Sequence, residues 1–594
     1  MPDAPSFSPP HEDRLRDFTA DNQLLVLSAM AVVVGTLGSG AAWCLLRLIA
    51  LFTNLAYFGQ FDGHLPSLIG VHLSAWTIAI PVIGSLIVGL MARFGSEKIR
   101  GHGIPEAIEA ILIGQSRIEP KVALLKPLSS AISIGSGGPF GAEGPIIMTG
   151  GALGSLFAQL FRLTSAERKT LLVAGAAAGM TAVFGTPIAA VMLAVELLLF
   201  EWKPRSFIPA GVAALVAALW RPVLIGSGPL FPFAEVPHMA WWGLGICAAV
   251  GIVAGLQSAL TTVTLYGVED LFRKLPIHWM WWPAIGGLVV GIGGYLDPSV
   301  LGVGYDNIRA LLAGSLGLGA AAFLLFDKAT IWVAALSSGT SGGVLAPLLI
   351  MGGALGAIEA HWIPFGTSGF WALIGMTAIL GGTMRAPLTA TLFAVELTGN
   401  THILPQLFAA SIAAFAVTVL LMSRSILTER IARRGHHITR EYTIDPFLYE
   451  RVGDIMASPV DTLSAELSIT ETIEFFTASD GPRRHKSYPV VANDGALVGM
   501  VSRADVLRWS RDGWKRNATL GELQGSEDIV VGYADELVGH LADRMAAKNA
   551  GRVPIVDRAS KHVVGLVARR DLLRVRARLL TEEQERRKLL RVAG

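Results

Sequence analysis

Charge is scarce in this sequence. Only 16% of its 594 residues are Asp, Glu, Lys or Arg, against about 25% in an ordinary soluble domain. That excludes an average water-soluble enzyme and a disordered chain, which both depend on solvated charge. The net charge is +2, so nucleic-acid binding has no electrostatic support and no nucleic-acid partner is expected. Cysteine is nearly absent. Cys44 and Cys247 both sit in apolar runs and imply no disulfide framework. No Cys/His spacing suits a metal, and no phosphate-binding loop or nucleophile arrangement stands out, so neither a metal site nor an enzyme activity is expected. The Pro-rich, acidic N-terminus does not read as a cleavable signal peptide or a lipid anchor.

What the chain has in abundance is apolar sequence. It is 52% hydrophobic, with a mean hydropathy of +0.53. The average hides a split. Residues 451–594 hold 43 of the 94 charged residues, or 30% of that stretch, while the first 450 residues hold 51, or 11%. The sequence reads as a membrane body followed by a soluble tail. Apolar segments of spanning length recur at 24–52, 72–94, 239–265, 279–295, 319–336 and 403–422. Others, at 104–114, 145–161, 171–184 and 347–358, are short or broken by Gly and Pro. Half-helices that meet inside a membrane have this pattern, because irregular backbone survives there only around a buried polar cavity.

The membrane part repeats itself. Pro145-Ile-Ile-Met-Thr-Gly-Gly-Ala-Leu-Gly154 matches Pro347-Leu-Leu-Ile-Met-Gly-Gly-Ala-Leu-Gly356 at an offset of 202, and Pro187–Leu197 matches Pro387–Leu397 at an offset of 200. Two homologous halves with a site at their interface are implied. Whether the halves run parallel or inverted is not decided by similarity. The basic flank Arg424, Arg430, Arg433, Arg434 and Arg440 places the C-terminus in the cytoplasm by the positive-inside tendency. The tail repeats too: Tyr488–Leu507 parallels Val553–Leu573, each reading as strand, turn, strand, helix, preceded by amphipathic helices near 468–479 and 534–549. The expected organisation is a segment 1–22, a membrane domain 23–435, a linker 436–450, two α/β units at 451–511 and 512–580, and a charged helix at 581–594.

Three Gly/Pro-rich stretches precede helical runs: Gly101-His-Gly-Ile-Pro105, Gly141-Ala-Glu-Gly-Pro145 and Gly343-Val-Leu-Ala-Pro347. A helix N-terminus offers unpaired N–H groups and about half a positive charge. Glycine admits close approach, and proline at the first turn removes no needed donor. Three such ends converging at mid-membrane make an anion site without a full positive charge, which would hold a passing anion too tightly. Glu143 lies within the second stretch. An intramembrane carboxylate is costly and marks a functional site. On a helix N-terminus it can occupy the anion's own place, and protonation releases it, so it reads as a gate, a proton carrier, or both.

In these motifs and their order the chain resembles the CLC family of chloride channels and chloride/proton exchangers over roughly residues 25–435. The resemblance implies an all-α polytopic fold of two inverted halves with broken helices, a homodimer with one pore per subunit, and residence in the cell (inner) membrane. It implies Glu143 as the gate, with Gly144 beside it. Val344 and Leu345 would bind the central anion through their N–H groups, while His102, Gly103 and Ile104 would frame the inner side. Lys126 matches a buried lysine near the pore. There are four departures. His102 stands where the family has a serine, Leu427 aligns with its pore tyrosine, and Leu197 aligns with the exchangers' proton-carrying glutamate. Ala142 replaces a basic residue before the gate.

His102 is able to donate a neutral N–H to chloride or to charge at low pH. Leu197 cannot carry a proton, which favours passive conduction. Glu196, beside it, recurs in the other half as Glu396, which marks both as structural helix acids. The tail resembles a tandem CBS pair, a cytoplasmic module that often binds adenosine nucleotides. Ser502 and Asp505 fit the ribose-contact pattern; Ala568 and Asp571 fit only half of it. The expected function is therefore chloride conduction gated by Glu143 and dependent on pH. The alternatives are chloride/proton exchange, fluoride selectivity, and a sensor that the membrane part merely anchors. Chloride, protons and the lipid bilayer are the expected partners.

Overall fold

A computed structural model describes residues 22–71, 74–237, 239–436, 447, 450–477, 485–511, 518–524, 529–575 and 577. Residues 1–21 of the expected N-terminal segment, most of the linker and the 581–594 helix lie outside them. The chain divides into two compact units, Asp17–Arg440 and a second comprising Met1–Arg16 with Glu441–Gly594.

The membrane unit is helical throughout. Its first half runs α1 (Gln23–Phe58), α2 (Ala79–Phe94), α3 (Ile104–Leu112), α4 (Pro120–Gly135), α5 (Glu143–Gln159), α6 (Ser165–Phe184), α7 (Pro187–Leu193) and α8 (Pro204–Leu224). Its second half repeats that order as α9 (Gly243–Arg273), α10 (Trp282–Leu296), α11 (Tyr305–Leu312), α12 (Leu318–Ser337), α13 (Leu345–Glu359), α14 (Ser368–Met384), α15 (Pro387–Thr398) and α16 (Leu404–Leu421). The last helix is α17 (Ile426–Arg433). Packing repeats with the order: α1 lies on α6 and α8 as α9 lies on α14 and α16.

Among the described residues, six helices are long and apolar enough to span a membrane: Gln23–Phe58, Ala75–Phe94, Pro204–Leu224, Gly243–Arg273, Leu318–Ser337 and Leu404–Arg433. The apolar run at 279–295 is not among them. Pro283 opens α10 after a 3-10 turn at Trp279–Trp281, which leaves a helix of 15 residues. The run at 171–184 extends back to a full helix because Thr164 and Glu167 form a capping box at its start.

Small residues set the helix spacing where lipid supplies no hydrophobic drive between helices. A Cβ on Gly150 would lie 3.0 Å from the carbonyl carbon of Gly175, and one on Gly375 3.1 Å from that of Gly352. The α5–α6 and α13–α14 crossings are thus the same contact used twice. The halves also cap each other. Glu196 accepts from Thr389 N at 2.8 Å, while Glu396 accepts from Ala189 N at 2.8 Å and Ile188 N at 3.0 Å. Each acid covers the N-terminus of the other half's helix, the reciprocity of a two-fold repeat.

The tail forms two small α/β units. In the first, β1 (Leu463–Ser464) pairs parallel with β2 (Ser487–Val491), which pairs antiparallel with β3 (Leu497–Ser502). In the second, β4 (Arg552–Val556) pairs antiparallel with β5 (Val563–Ala568). The amphipathic helices fall at Ile469–Thr477 and Val538–Ala547, and each unit has its own apolar cluster.

Gly150→Val forces the α5–α6 crossing apart and should cost about 2–3 kcal/mol. Thermal unfolding of the purified protein in detergent should show a lowered midpoint; an unchanged midpoint would mean that the crossing does not constrain the fold.

Candidate functional site: three helix N-termini on one backbone crossing

Helices α3, α5 and α13 begin on strands of irregular backbone that bond to one another. Gly101 N donates to Thr340 O at 2.9 Å, and Gly343 N donates to Gly141 O at 2.9 Å. These contacts form isolated bridges, Gly101 with Ser341 and Gly141 with Gly343. The three Gly/Pro-rich stretches therefore meet at one place, where part of their backbone bonds across the halves. Gly103 shows why a side chain is excluded there. Its φ is +88°, and a Cβ would lie 2.7 Å from Gly144 O.

Glu143 is the first residue of α5 and is fully buried. Its Oε1 accepts from Ala346 N at 2.8 Å, in the first turn of α13. Its Oε2 is buried with no hydrogen-bond partner among the described residues. The carboxylate of one half thus sits on the helix N-terminus of the other, as an anion would. Gly144 follows it, and Val344 and Leu345 form the N-cap and first residue of α13; all are buried.

His102 is 1% exposed, and among the described residues neither ring nitrogen has a hydrogen-bond partner. A buried imidazole carries at least one N–H, and leaving it unpaired is costly. Ile104 opens α3 and is buried. Gly103 N is engaged: it donates to Glu106 Oε2 at 3.0 Å. Glu106 in turn meets Arg430 at 3.2 Å and Arg434 at 2.9 Å. Glu106 was missed in the sequence reading, although a glutamate in the first turn after Gly-Ile-Pro is a capping-box signal.

Lys126 is fully buried, and its ammonium donates to Ile99 O at 2.8 Å and Gly101 O at 2.6 Å. It braces the loop that carries His102. The same device recurs 202 residues later, where Lys328 donates to Val300 O at 2.7 Å and Gly302 O at 3.3 Å. Lys328 also went unnoticed, although the repeat offset points to it. Leu427 lies on α17 and Leu197 in a π turn at Ala194–Leu199; both are fully buried, so neither position supplies a polar group.

In the tail, Ser502 Oγ donates to Asp505 Oδ2 at 2.5 Å, and Asp505 Oδ1 accepts from Arg508 at 2.7 Å. Both residues line a cavity of about 510 Å³ together with Ser487, Arg552, Arg569 and Arg570.

A fold of inverted, broken-helix halves with anion-suited helix ends at their crossing, followed by paired α/β units, defines a class of ion-transport protein. The profile described as voltage gated chloride channel matches residues 83–419, and the CBS domain profile matches residues 452–512 and 521–578. The chain belongs to the voltage-gated chloride channel (CLC) family, with two CBS domains at its C-terminus. It is 28% identical over 424 residues to a voltage-gated ClC-type chloride channel, ClcB, of Escherichia coli O81, a match covering 70% of this chain and 99% of that protein. A slow cyanobacterial Cl-/H+ antiporter superposes with a TM-score of 0.60 at 22% identity, covering 70% of this chain and 99% of that one. A eukaryotic CLC transporter superposes with a TM-score of 0.58 at 18% identity, covering 92% and 98%.

Lys126→Met takes a donor from Ile99 O and from Gly101 O, of which Gly101 O keeps Gly342 N at 3.4 Å; a carbonyl left unpaired costs about 1–3 kcal/mol. The unfolding midpoint in detergent should fall. A midpoint equal to that of the parent would show that the ammonium does not hold the loop.

Proposed function

We propose that the chain conducts chloride across the membrane through a CLC pore in each subunit of a homodimer, with Glu143 as the gate. The carrying observation is the Glu143 carboxylate, buried and bonded to Ala346 N at 2.8 Å. It occupies a place suited to an anion and holds it until protonation or chloride displaces it. His102 supplies an N–H to the anion in place of the family's serine, and together with Glu143 makes conduction dependent on pH. The unpartnered ring nitrogens support this reading. Gly103 has less to offer the anion, since its N–H serves Glu106.

Chloride/proton exchange is the second reading, and the similarity to a cyanobacterial Cl-/H+ antiporter favours it. Leu197 and the capping role of Glu196 weigh toward the channel, because an inner proton route then lacks its usual acid. The membrane is the cell's inner membrane, and the CBS pair lies in the cytoplasm. An adenosine nucleotide enters the cavity beside Ser502 and Asp505, with Arg552, Arg569 and Arg570 facing its phosphates.

Proteoliposomes with fixed chloride and pH gradients, read for both ions, test the first reading against the second. Conduction predicts chloride flux without uphill proton movement. Proton flux driven by the chloride gradient would overturn it in favour of exchange. With Glu143→Gln the flux should lose its acid activation; an intact pH profile would remove Glu143 as the gate.

His102→Ala should alter the pH dependence or the anion selectivity of flux. Unchanged pH–flux curves and permeability ratios would reject a role for the imidazole at the anion.

A further inference from the structure

A second polar cavity lies in the membrane unit, beside the backbone crossing and on the side where α17 ends. Its volume is about 440 Å³, and six basic side chains line it against three acidic ones. Most of these cations are matched. Arg273 meets Glu269 at 2.6 Å, Arg433 meets Asp270 at 2.5 Å, Arg434 meets Glu109 at 2.5 Å and Lys98 meets Glu119 at 2.6 Å.

Two cations are under-compensated. Arg100 comes no nearer to an acid than 4.0 Å, at Glu97, and its Nε is buried with no hydrogen-bond partner among the described residues. Its guanidinium lies over the ring of Trp279, 4.4 Å from the ring centre, which holds it at the cavity wall. Among the described residues, Arg430 pairs with Glu106 alone, at 3.2 Å, which it shares with Arg434. Arg430 also donates to Arg100 O at 3.2 Å, so the two residues form one group.

This chemistry differs from that of the anion crossing. There, helix ends and backbone dipoles suit an ion that must leave again. Here, guanidinium forks carry full charge, and paired forks select oxyanions with several acceptor oxygens over a spherical halide. The volume falls in the range of small-molecule sites, about 300–1,000 Å³, and far exceeds the needs of one halide.

We propose that the Arg100–Arg430 cavity is a binding site for a multiply charged phosphate group. The group comes either from a soluble phosphate compound or from an anionic lipid headgroup. The site also has a route to the pore. Arg430 bonds the carbonyl of Arg100, whose neighbour Gly101 begins the loop that bears His102. A ligand drawing Arg100 and Arg430 together stiffens that loop and slows anion passage. Binding itself does not depend on the transport reading; only its effect on flux does.

Calorimetry on the full chain in detergent, with pyrophosphate and chloride titrated separately, tests the site. Pyrophosphate should bind at least about tenfold more tightly than chloride. Arg100→Gln and Arg430→Gln should each weaken it by about tenfold or more, the scale of a lost charged hydrogen bond. Arg100→Lys keeps the charge without the fork and serves if the glutamine variant does not fold; it too should weaken binding. Phosphorus retained after purification and lost in Arg100→Gln, with pyrophosphate binding only after delipidation, would assign the lipid source. Binding to lipid-free protein without such retention would assign the soluble one. Two results overturn the proposal: pyrophosphate no tighter than chloride, which makes the cavity an antechamber for the transported ion, or binding lost with Arg552→Gln but kept with Arg100→Gln, which moves it to the tail.

Discussion

The structure depends on one constraint: inside a membrane, every backbone N–H and C=O must find a partner within the protein. Helices that stop halfway would violate it. Here they do not, because the stopped ends bond across the halves, Gly101 to Thr340 and Gly343 to Gly141. Lys126 and Lys328 hold the remaining loop carbonyls from behind. The helix N-termini left at the crossing are then available to a negative group, and Glu143 supplies one. The site is thus a consequence of how the broken backbone is satisfied.

Duplication separates scaffold from chemistry. Symmetric positions do the same structural task on both sides. Lys126 and Lys328 each clamp a glycine loop, Glu196 and Glu396 cap each other's helices, and Gly150–Gly175 and Gly352–Gly375 set the same crossing. The chemistry lies where the halves differ. Glu143 stands opposite Leu345 at an offset of 202, and His102 opposite Val303 at 201, where Gly302-Val-Gly304 matches Gly101-His-Gly103. One half contributes a carboxylate and an imidazole, while the other contributes apolar side chains and backbone. A symmetric pair of carboxylates would place two like charges at one crossing, at a steep electrostatic cost.

Leu427 and Leu197 are fully buried apolar side chains. Polarity appears instead at His102 and in the charged cluster of Glu106, Arg430 and Arg434 beneath it. Arg430 lies one turn beyond Leu427 on the same helix, so α17 still presents a polar group toward the glycine loop, lower down and with full charge.

Much of the protein was legible in the sequence because the signals are local. Apolar run length marks five of the six spanning helices found among the described residues, missing Pro204–Leu224; Gly and Pro mark the broken ends, and the offset of about 200 exposes the two halves. The strand–turn–strand pattern marks the tail units. Glu143 was legible because a lone carboxylate in an apolar stretch is costly wherever it ends up. The offset also contained Lys328, unread because a single lysine in an apolar run carries no motif. Other features lay beyond any local pattern. Gly103 N is taken by Glu106, Glu196 caps a helix 192 residues away, and Arg100 and Arg430 share one wall though 330 positions apart. Sequence determined which segments enter the membrane and where their backbone breaks, since those follow from transfer free energy and dihedral freedom along the chain. Only the tertiary structure decided which broken end meets which carboxylate, because hydrogen-bond partners are fixed by packing between distant segments.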